Sequence, residues 1–318
     1  MKILANDGID AAGKQALEAA GHEVLTQTVP QAELAEYINS QAVSGLLVRS
    51  ATTVRKDIID ACPNLKFVGR GGVGIDNIDA AYAREKGVVV FNTPASSSIS
   101  VAELVMSMMM AASRFIYKAG GDMPSKGSTE FAAFKKAYSK GVELRGKKLV
   151  IIGFGRIGQA LASYAMGCGM LVSAVDRSAK GSIPVSVSLN GTTVQVPVDI
   201  ISMQEALATA DYISLHVPKQ SNGSAVIGAE ELSQMKKGVV LINTSRGGVI
   251  EEDALLEALN SGPVGMACLD VFVNEPTPRA DLLSHSKVIA TPHIGASTAE
   301  AQERIGLEIA ENVAKITS

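Results

Sequence analysis

The stretch "LVIIGFGRIGQALA", residues 149–162, runs from four apolar residues straight into three glycines, Gly153, Gly155 and Gly158. Apolar residues in an unbroken run read as a buried strand, and the pattern after the glycines reads as a helix. Glycine at G-x-G-x-x-G spacing allows the tight turn between them and a close backbone approach to a pyrophosphate. The helix start adds unpaired N–H groups and the positive end of its dipole. The next strand, "LVSAVD", ends on Asp176, eighteen residues after Gly158. A carboxylate there accepts hydrogen bonds from both adenine-ribose hydroxyls and repels a 2′-phosphate, which favours NAD over NADP. Arg177 leaves two readings open, partial accommodation of a phosphate or a lid over adenine.

Working outward, short apolar runs alternate with helical patterns over the first ninety residues. "KILA", "EVL", "GLLV", "FVG" and "GVVVF" read as strands, with helices around 11–20, 31–40, 55–61 and 78–86. Repeated βα order implies a parallel sheet. "SSSISVAELVMSMMMAASRFIYKA" then predicts one long helix, with Ser100 and Glu103 as a capping box at its start. Its methionines, Met106 and Met108 to Met110, suit a buried or subunit-facing helix better than a cofactor box. Six further strands are expected near 148–152, 171–175, 212–216, 239–243, 265–270 and 287–290. The fold class is therefore α/β: two doubly wound parallel-sheet domains, a Rossmann dinucleotide-binding domain inserted into a flavodoxin-like one. The final helical run repeats Ile305, Ile309, Val313 and Ile316 at three- and four-residue spacing, so it needs a sheet face to cover. We expect it to cross back, giving a discontinuous substrate domain of residues 1–97 and 295–318 around an NAD domain of 98–294.

Composition narrows the function classes. The chain has 318 residues, 47% hydrophobic and 19% charged, with a net charge of −3, which suits two cores. No Lys/Arg run tracks a phosphate backbone, so neither nucleic acid nor an anionic membrane is expected as a partner; small molecules are. Cys62, Cys168 and Cys268 are far apart without C-x-x-C spacing and read as reduced core residues, with no disulfide and no metal site. The start "MKILANDGID" has no apolar h-region and no charge-free run reaches spanning length, so a cytoplasmic protein is expected.

An NAD enzyme acting on an alcohol needs a base working near neutral pH. Of the four histidines, His22 and His285 lie in turns and read as surface residues, while His216, ending "YISLHV", suits cofactor lining or a structural place equally. His293 in "ATPHIGAST" follows the last strand, at the rim where open α/β sheets place ligands. Glu275 in "DVFVNEPTP" is its candidate acid partner, since a carboxylate on one imidazole nitrogen fixes the tautomer and favours proton uptake. Arg246 follows the apolar strand "VVLIN", where a rigid guanidinium fork suits the carboxylate of a 2-hydroxy or 2-oxo acid.

With these residues in place, the chain resembles the D-isomer-specific 2-hydroxyacid dehydrogenases over nearly its whole length. The resemblance is carried by "VRSATTV", "VGRGGVGIDNID", "NTPASSSISVAEL", "LRGKKLVIIGFGRIG", "NTSRGGVIEEDALLEAL", "ACLDVFVNEP" and "TPHIGASTAEAQER". It implies Arg246, Glu275 and His293 as the catalytic set. Besides the glycines and Asp176, it implies NAD contacts at Val73, Arg156, Ile157, His216, Val217, Pro218, Thr244, Ser245, Asp270 and Gly295, with Asp270 holding the nicotinamide carboxamide. In the branch that oxidises 3-phospho-D-glycerate, substrate positions correspond to Arg49, Ser50, Arg70, Gly71 and Gly72, with Arg246 and His293. Glyoxylate has no phosphate to justify two extra arginines; each would otherwise be a surface ion pair. Lys135 and Lys136 fall where relatives reach into a partner's site, and a solvated helix face explains them equally well. The long Met-rich helix suggests a dimer interface, so a homodimer is expected, although oligomer number stays open.

Two features depart from the family pattern. "GSIPVSVSLNGTTVQVPVDI", residues 181–200, predicts an extra hairpin near 182–197 turning at Asn190-Gly191, read as a lid or an oligomer contact. The sequence ends soon after Ile316, so serine feedback through a C-terminal regulatory domain is not expected. The competing readings are another D-2-hydroxyacid dehydrogenase or glyoxylate/hydroxypyruvate reductase, and a non-catalytic NAD-sensing scaffold.

Overall fold

In a parallel sheet covered on both faces, alternate residues of a strand must each find a core, and the central strands of both sheets obey that rule. The computed structural model describes residues 1–317 and contains two compact units, Met1–Ser100 with Ala296–Ser318, and Val101–Gly295. The first runs β1 (Lys2–Ala5), α1 (Ala11–Ala19), β2 (Glu23–Leu25), α2 (Leu34–Ser40), β3 (Gly45–Val48), α3 (Lys56–Ala61), β4 (Phe67–Arg70), α4 (Ala80–Glu85) and β5 (Val89–Asn92). Its sheet order is β2-β1-β3-β4-β5, and every pairing is parallel. Leu4, Leu46, Val48 and Val68 serve the core on one face, and Ile3, Ala5, Leu47 and Phe67 the core on the other.

The second unit is built on α5 (Ser98–Arg114), α6 (Ile116–Ala137), β6 (Lys148–Ile152), α7 (Arg156–Gly167), β7 (Leu171–Val175), β8 (Ser182–Leu189), β9 (Thr192–Ile200), α8 (Met203–Thr209), β10 (Tyr212–Leu215), α9 (Ala229–Ser233), β11 (Val239–Asn243), α10 (Glu252–Asn260), β12 (Val264–Leu269), α11 (Ala280–Leu283) and β13 (Val288–Ala290). The eight strands lie in the order β13-β12-β11-β10-β6-β7-β9-β8. Leu149 and Ile151 face one core and Val150 and Ile152 the other, the period of two expected of a covered strand. Helix α12 (Ala299–Thr317) then returns to the first unit.

Three expectations are corrected. The predicted single helix is broken at Phe115, which sits at φ 57°, and α5 and α6 meet at 62°. Periodicity carried no mark of the break, because apolar residues, Phe115 to Tyr117, run straight across it. Ser100 is no N-cap: α5 begins at Ser98, and Glu103 instead accepts a 2.8 Å bond from the Tyr164 hydroxyl. The 182–197 segment is a hairpin with Asn190 and Gly191 both at positive φ, as a two-residue turn of this hand requires. It is no lid, however. β9 pairs in parallel with β7, so the hairpin extends the sheet edge, and Val185 and Val198 are buried in the same core as Leu161 of α7. Met106, Met108 and Met109 of α5 are buried there too, while Met110 is exposed. The three cysteines are free thiols, and among the described residues no single helix is long and apolar enough to cross a membrane.

Helix α12 covers the sheet face left open by the first ninety residues. Ile305, Ile309 and Val313 are buried against Ile3, Leu17 and Phe67, each worth about 1.5–3 kcal/mol in transfer free energy. The helix reaches this depth because Gly13 of α1 meets Gly306 backbone to backbone; a Cβ on Gly13 would lie 2.4 Å from the Gly306 Cα. A Cβ on Gly306 would meet the Gly13 Cα at 3.0 Å. Gly13→Ala should therefore destabilise the protein by about 1–3 kcal/mol. Gly306→Ala should cost less, an order that urea denaturation midpoints check directly.

Candidate active site

The C-terminal ends of β6, β7 and β10 open onto a cavity of about 730 Å³. Gly153 (φ 94°) turns the chain out of β6, and a Cβ there would lie 2.5 Å from the His216 carbonyl oxygen. At Gly158 a Cβ would lie 2.6 Å from the Gly153 oxygen, so this glycine lets α7 pack on the turn. Gly155 differs, because a Cβ there would meet nothing within 4 Å. Its side is open toward the cavity it lines, and as N-cap of α7 it brings no side chain to the amides of the helix start, Arg156 and Ile157 among them. That is a cradle built for an anion.

Asp176 lies in the cavity wall with both oxygens engaged: Oδ2 accepts the Phe154 N–H at 2.9 Å, and Oδ1 accepts the Ser178 hydroxyl and N–H at 2.7 and 2.8 Å. The Ser178 hydroxyl and then these N–H groups hold its carboxyl below the usual range, so it faces the cavity charged. Arg177, Val217 and Pro218 also line it. His216 is a wall residue whose Nε2 lies 2.8 Å from the Ser214 hydroxyl; desolvation lowers its pKa to about 4, leaving a neutral ring unsuited to take protons near pH 7. No residue of the β8–β9 hairpin lines the cavity. Thr244, buried at the end of β11, has a hydroxyl oxygen without a protein partner, a polar atom that a bound ligand would satisfy. The open side of Gly155 and the uncapped helix fit a dinucleotide.

Three loops of the same unit converge beyond the strand ends. In the first, Asn243 organises the turn: its Oδ1 accepts the Ser245 N–H and hydroxyl at 3.0 and 2.7 Å, and its Nδ2 donates to the Arg246 carbonyl at 2.9 Å. Sequence reading passed over Asn243, although an Asx turn at a strand end is a known signal. One guanidinium nitrogen of Arg246 donates to the Ser245 carbonyl at 2.7 Å. Gly247 then packs so tightly on the second loop that a Cβ would lie 1.8 Å from the Phe272 oxygen. In that loop the Phe272 N–H occupies Glu275 Oε1 at 2.9 Å, which leaves Oε2 for His293 Nδ1 at 2.8 Å. Burial works against ionising Glu275, but the His293 bond, the Phe272 N–H and the nearby Arg246 charge together hold its pKa below the ordinary value.

The third loop holds His293 at φ 54°, a conformation costing on the order of 1–3 kcal/mol for a residue with a side chain. Asp270, fully buried, secures it: Oδ1 accepts the Thr291 hydroxyl at 2.6 Å and the Ile294 N–H at 2.8 Å, and Oδ2 accepts the Gly295 N–H at 2.9 Å. Both Asp270 oxygens thus serve the loop, a task that sequence reading did not anticipate when it assigned the residue to the cofactor. With Nδ1 directed at the Glu275 carboxylate, His293 is left with Nε2 as an acceptor, an arrangement able to take a proton from a hydroxyl group.

The remaining candidates lie in the first unit. Arg49 and Ser50 follow β3, Arg70 ends β4, and Gly71, Gly72 and Val73 continue from it. Gly71 is buried against Ile305, with a would-be Cβ 3.0 Å from its Cγ2, so its smallness serves α12 packing. Val73 is 41% exposed, and its carbonyl accepts a bond from Asn92 Nδ2. Arg70 donates through Nε to the Arg49 carbonyl at 3.0 Å and through a terminal nitrogen to the Gly74 carbonyl, so part of its guanidinium braces the chain. Ser50 is exposed.

The cradle makes one clear prediction. Because a methyl at residue 155 clashes with nothing in the protein, Gly155→Ala should leave the melting temperature nearly unchanged. The same methyl stands where a pyrophosphate must approach, so NADH binding should weaken by about tenfold or more, or at least 1.4 kcal/mol, in a fluorescence titration.

Comparison with known proteins agrees with this geometry. Residues 106–295 match the family described as D-isomer specific 2-hydroxyacid dehydrogenase, NAD binding domain. The chain is 42% identical over 318 residues to the hydroxypyruvate reductase of Thermotoga maritima, covering 99% of this chain and 97% of that protein. It is 40% identical to the D-3-phosphoglycerate dehydrogenase of Methanocaldococcus jannaschii, covering 99% of this chain but 57% of that protein, so it spans little more than half of that relative. A solved NAD-dependent formate dehydrogenase from Staphylococcus aureus, in complex with NAD, superposes with a TM-score of 0.83 at 25% identity, covering 100% of this chain and 96% of that one. The chain belongs to the D-isomer-specific 2-hydroxyacid dehydrogenase family, and its cofactor is NAD.

Proposed function

We propose that this NAD-dependent dehydrogenase oxidises 3-phospho-D-glycerate to 3-phosphooxypyruvate, the first step from glycolysis toward serine. The observation that carries the phosphorylated substrate is Arg49. Among the described residues its guanidinium has no hydrogen bond or ion pair, although it is half-buried; burial lowers its pKa and Asp7 opposes that shift. A desolvated cation whose N–H donors are not engaged gains more from a bound anion than a solvated one does.

Bound NAD supplies the hydride acceptor. Arg246 binds the substrate carboxylate and fixes the orientation of C2. His293 Nε2 takes the C2 hydroxyl proton, and Glu275, on Nδ1, stabilises the imidazolium that results. In the reverse direction the same ring returns that proton to the carbonyl oxygen. Asp176, kept charged by its hydrogen bonds, disfavours a 2′-phosphate at the adenine end.

A second reading, reduction of hydroxypyruvate, is favoured by the 42% identity to a hydroxypyruvate reductase of matching length. Hydroxypyruvate is 3-phosphooxypyruvate without its phosphate, so a cation for that one group separates the two. Arg49→Ala should raise KM for 3-phosphooxypyruvate about tenfold or more, as expected for a charge-assisted hydrogen bond of about 1.5–3 kcal/mol, and leave hydroxypyruvate nearly unaffected. Steady-state rates with both substrates check this, and a higher kcat/KM for hydroxypyruvate in the unmodified enzyme would establish the second reading. His293→Ala should lower kcat by about 10²–10⁴ with either substrate while NADH affinity stays within about twofold.

A further inference from the structure

The loop that carries Arg49 is gripped from both sides by residues of no assigned role. Asp7, just past β1, accepts the backbone N–H groups of Arg49 at 2.6 Å and Thr52 at 3.1 Å on one oxygen, and the Thr52 hydroxyl on the other. Asn77 answers on the opposite polarity: its Nδ2 donates to the carbonyls of the same two residues, Arg49 at 2.8 Å and Thr52 at 2.6 Å. Turned over, the Asn77 amide would set its oxygen against both carbonyls, so the loop fixes its orientation. Thr52 is held once more by Asn6 Nδ2 at 2.8 Å, and the Arg49 carbonyl by Arg70 Nε at 3.0 Å. Every one of these bonds falls on the backbone of residues 49 and 52 or on the Thr52 hydroxyl, and none on the Arg49 guanidinium.

We propose that Asp7 is a positioning residue for substrate selection: by holding the N–H groups of residues 49 and 52 it fixes the base of the Arg49 side chain, so that the guanidinium meets the phosphate end of the substrate. This rests on the reading of Arg49 as the phosphate-binding cation. Two effects of Asp7 on a phosphate oppose each other. Its negative charge repels the dianion and offsets Arg49, so charge alone predicts that neutralising Asp7 tightens the phosphorylated substrate. Its three accepted bonds order the loop, so positioning predicts the reverse. Aspartate supplies acceptors only, whereas asparagine in its place keeps one oxygen for the two N–H groups and turns its NH₂ toward the Thr52 hydroxyl, which already accepts from Asn6 Nδ2 and would have to give up its own donated bond. The lost order is therefore expected to outweigh the removed charge.

Asp7→Asn should raise KM for 3-phosphooxypyruvate about tenfold, with kcat within about twofold and KM for hydroxypyruvate and NADH unchanged. Thr52→Val, which removes one of the three bonds and keeps the side-chain shape, should shift the same KM in the same direction by a smaller factor. It serves as the test if Asp7→Asn does not fold. A merely structural role would move both substrates alike, together with the melting temperature. Arg49→Ala is measured beside them. If Arg49→Ala discriminates the substrates while Asp7→Asn binds the phosphorylated one as well as or better than the unmodified enzyme, the positioning role is overturned and the Arg49 reading stands. If Arg49→Ala fails to discriminate them, both fall.

Discussion

The site of the second unit depends on one buried carboxylate. Asp270 has no exposure to water, so its oxygens must be satisfied by the protein, and the protein satisfies them with three groups of the segment 291–295. Letting that segment move would leave a buried carboxylate without partners, a cost larger than the left-handed backbone at His293. His293 is held in an unfavourable conformation because the alternative is worse. Its ring then meets a Glu275 whose other oxygen is already occupied by the Phe272 N–H, so the pairing has one geometry available.

The parallel sheet turns this into a site. All strands from β6 to β13 that flank the cavity and the three loops run in one direction, so their exits gather along one edge. Glycines then set how closely the exits approach: Gly153 against the His216 carbonyl, Gly247 against the Phe272 carbonyl. The added β8–β9 hairpin leaves this edge intact, because it joins beyond β7 and buries its valines on α7.

Strand runs and the G-x-G-x-x-G turn were legible in the sequence because each is a local pattern with a local cause. Glu275 and His293 were legible as candidates, since their loops follow apolar strands, and the structure brings them within 2.8 Å. Other features were hidden for physical reasons. The break at Phe115 is a single left-handed residue that helical periodicity does not record, and Ser100 looked like a cap because S-x-x-E also occurs inside helices. Asp7 and Asp270 were opaque in the same way: each is a short acid after a strand, and its work consists of bonds to residues 42 to 45 and 21 to 25 positions away. No local spacing rule detects such partners.

Hydrogen bonding also separates two arginines that looked equivalent in the sequence. Arg49 directly follows one first-unit strand and Arg70 ends another, and in the sequence the two are equivalent. Arg70, however, commits Nε to the Arg49 carbonyl, whereas Arg49 makes no side-chain bond among the described residues. The first therefore helps shape the loop and the second is left able to bind. In the function proposed above, reaction type and substrate choice fall to different parts of the chain: the Glu275–His293 pair and Arg246 would address what any 2-hydroxy acid shares, and the loop around residue 49 what only a phosphorylated one carries. On that proposal, a change confined to the loop alters substrate choice and leaves the Glu275–His293 pair untouched.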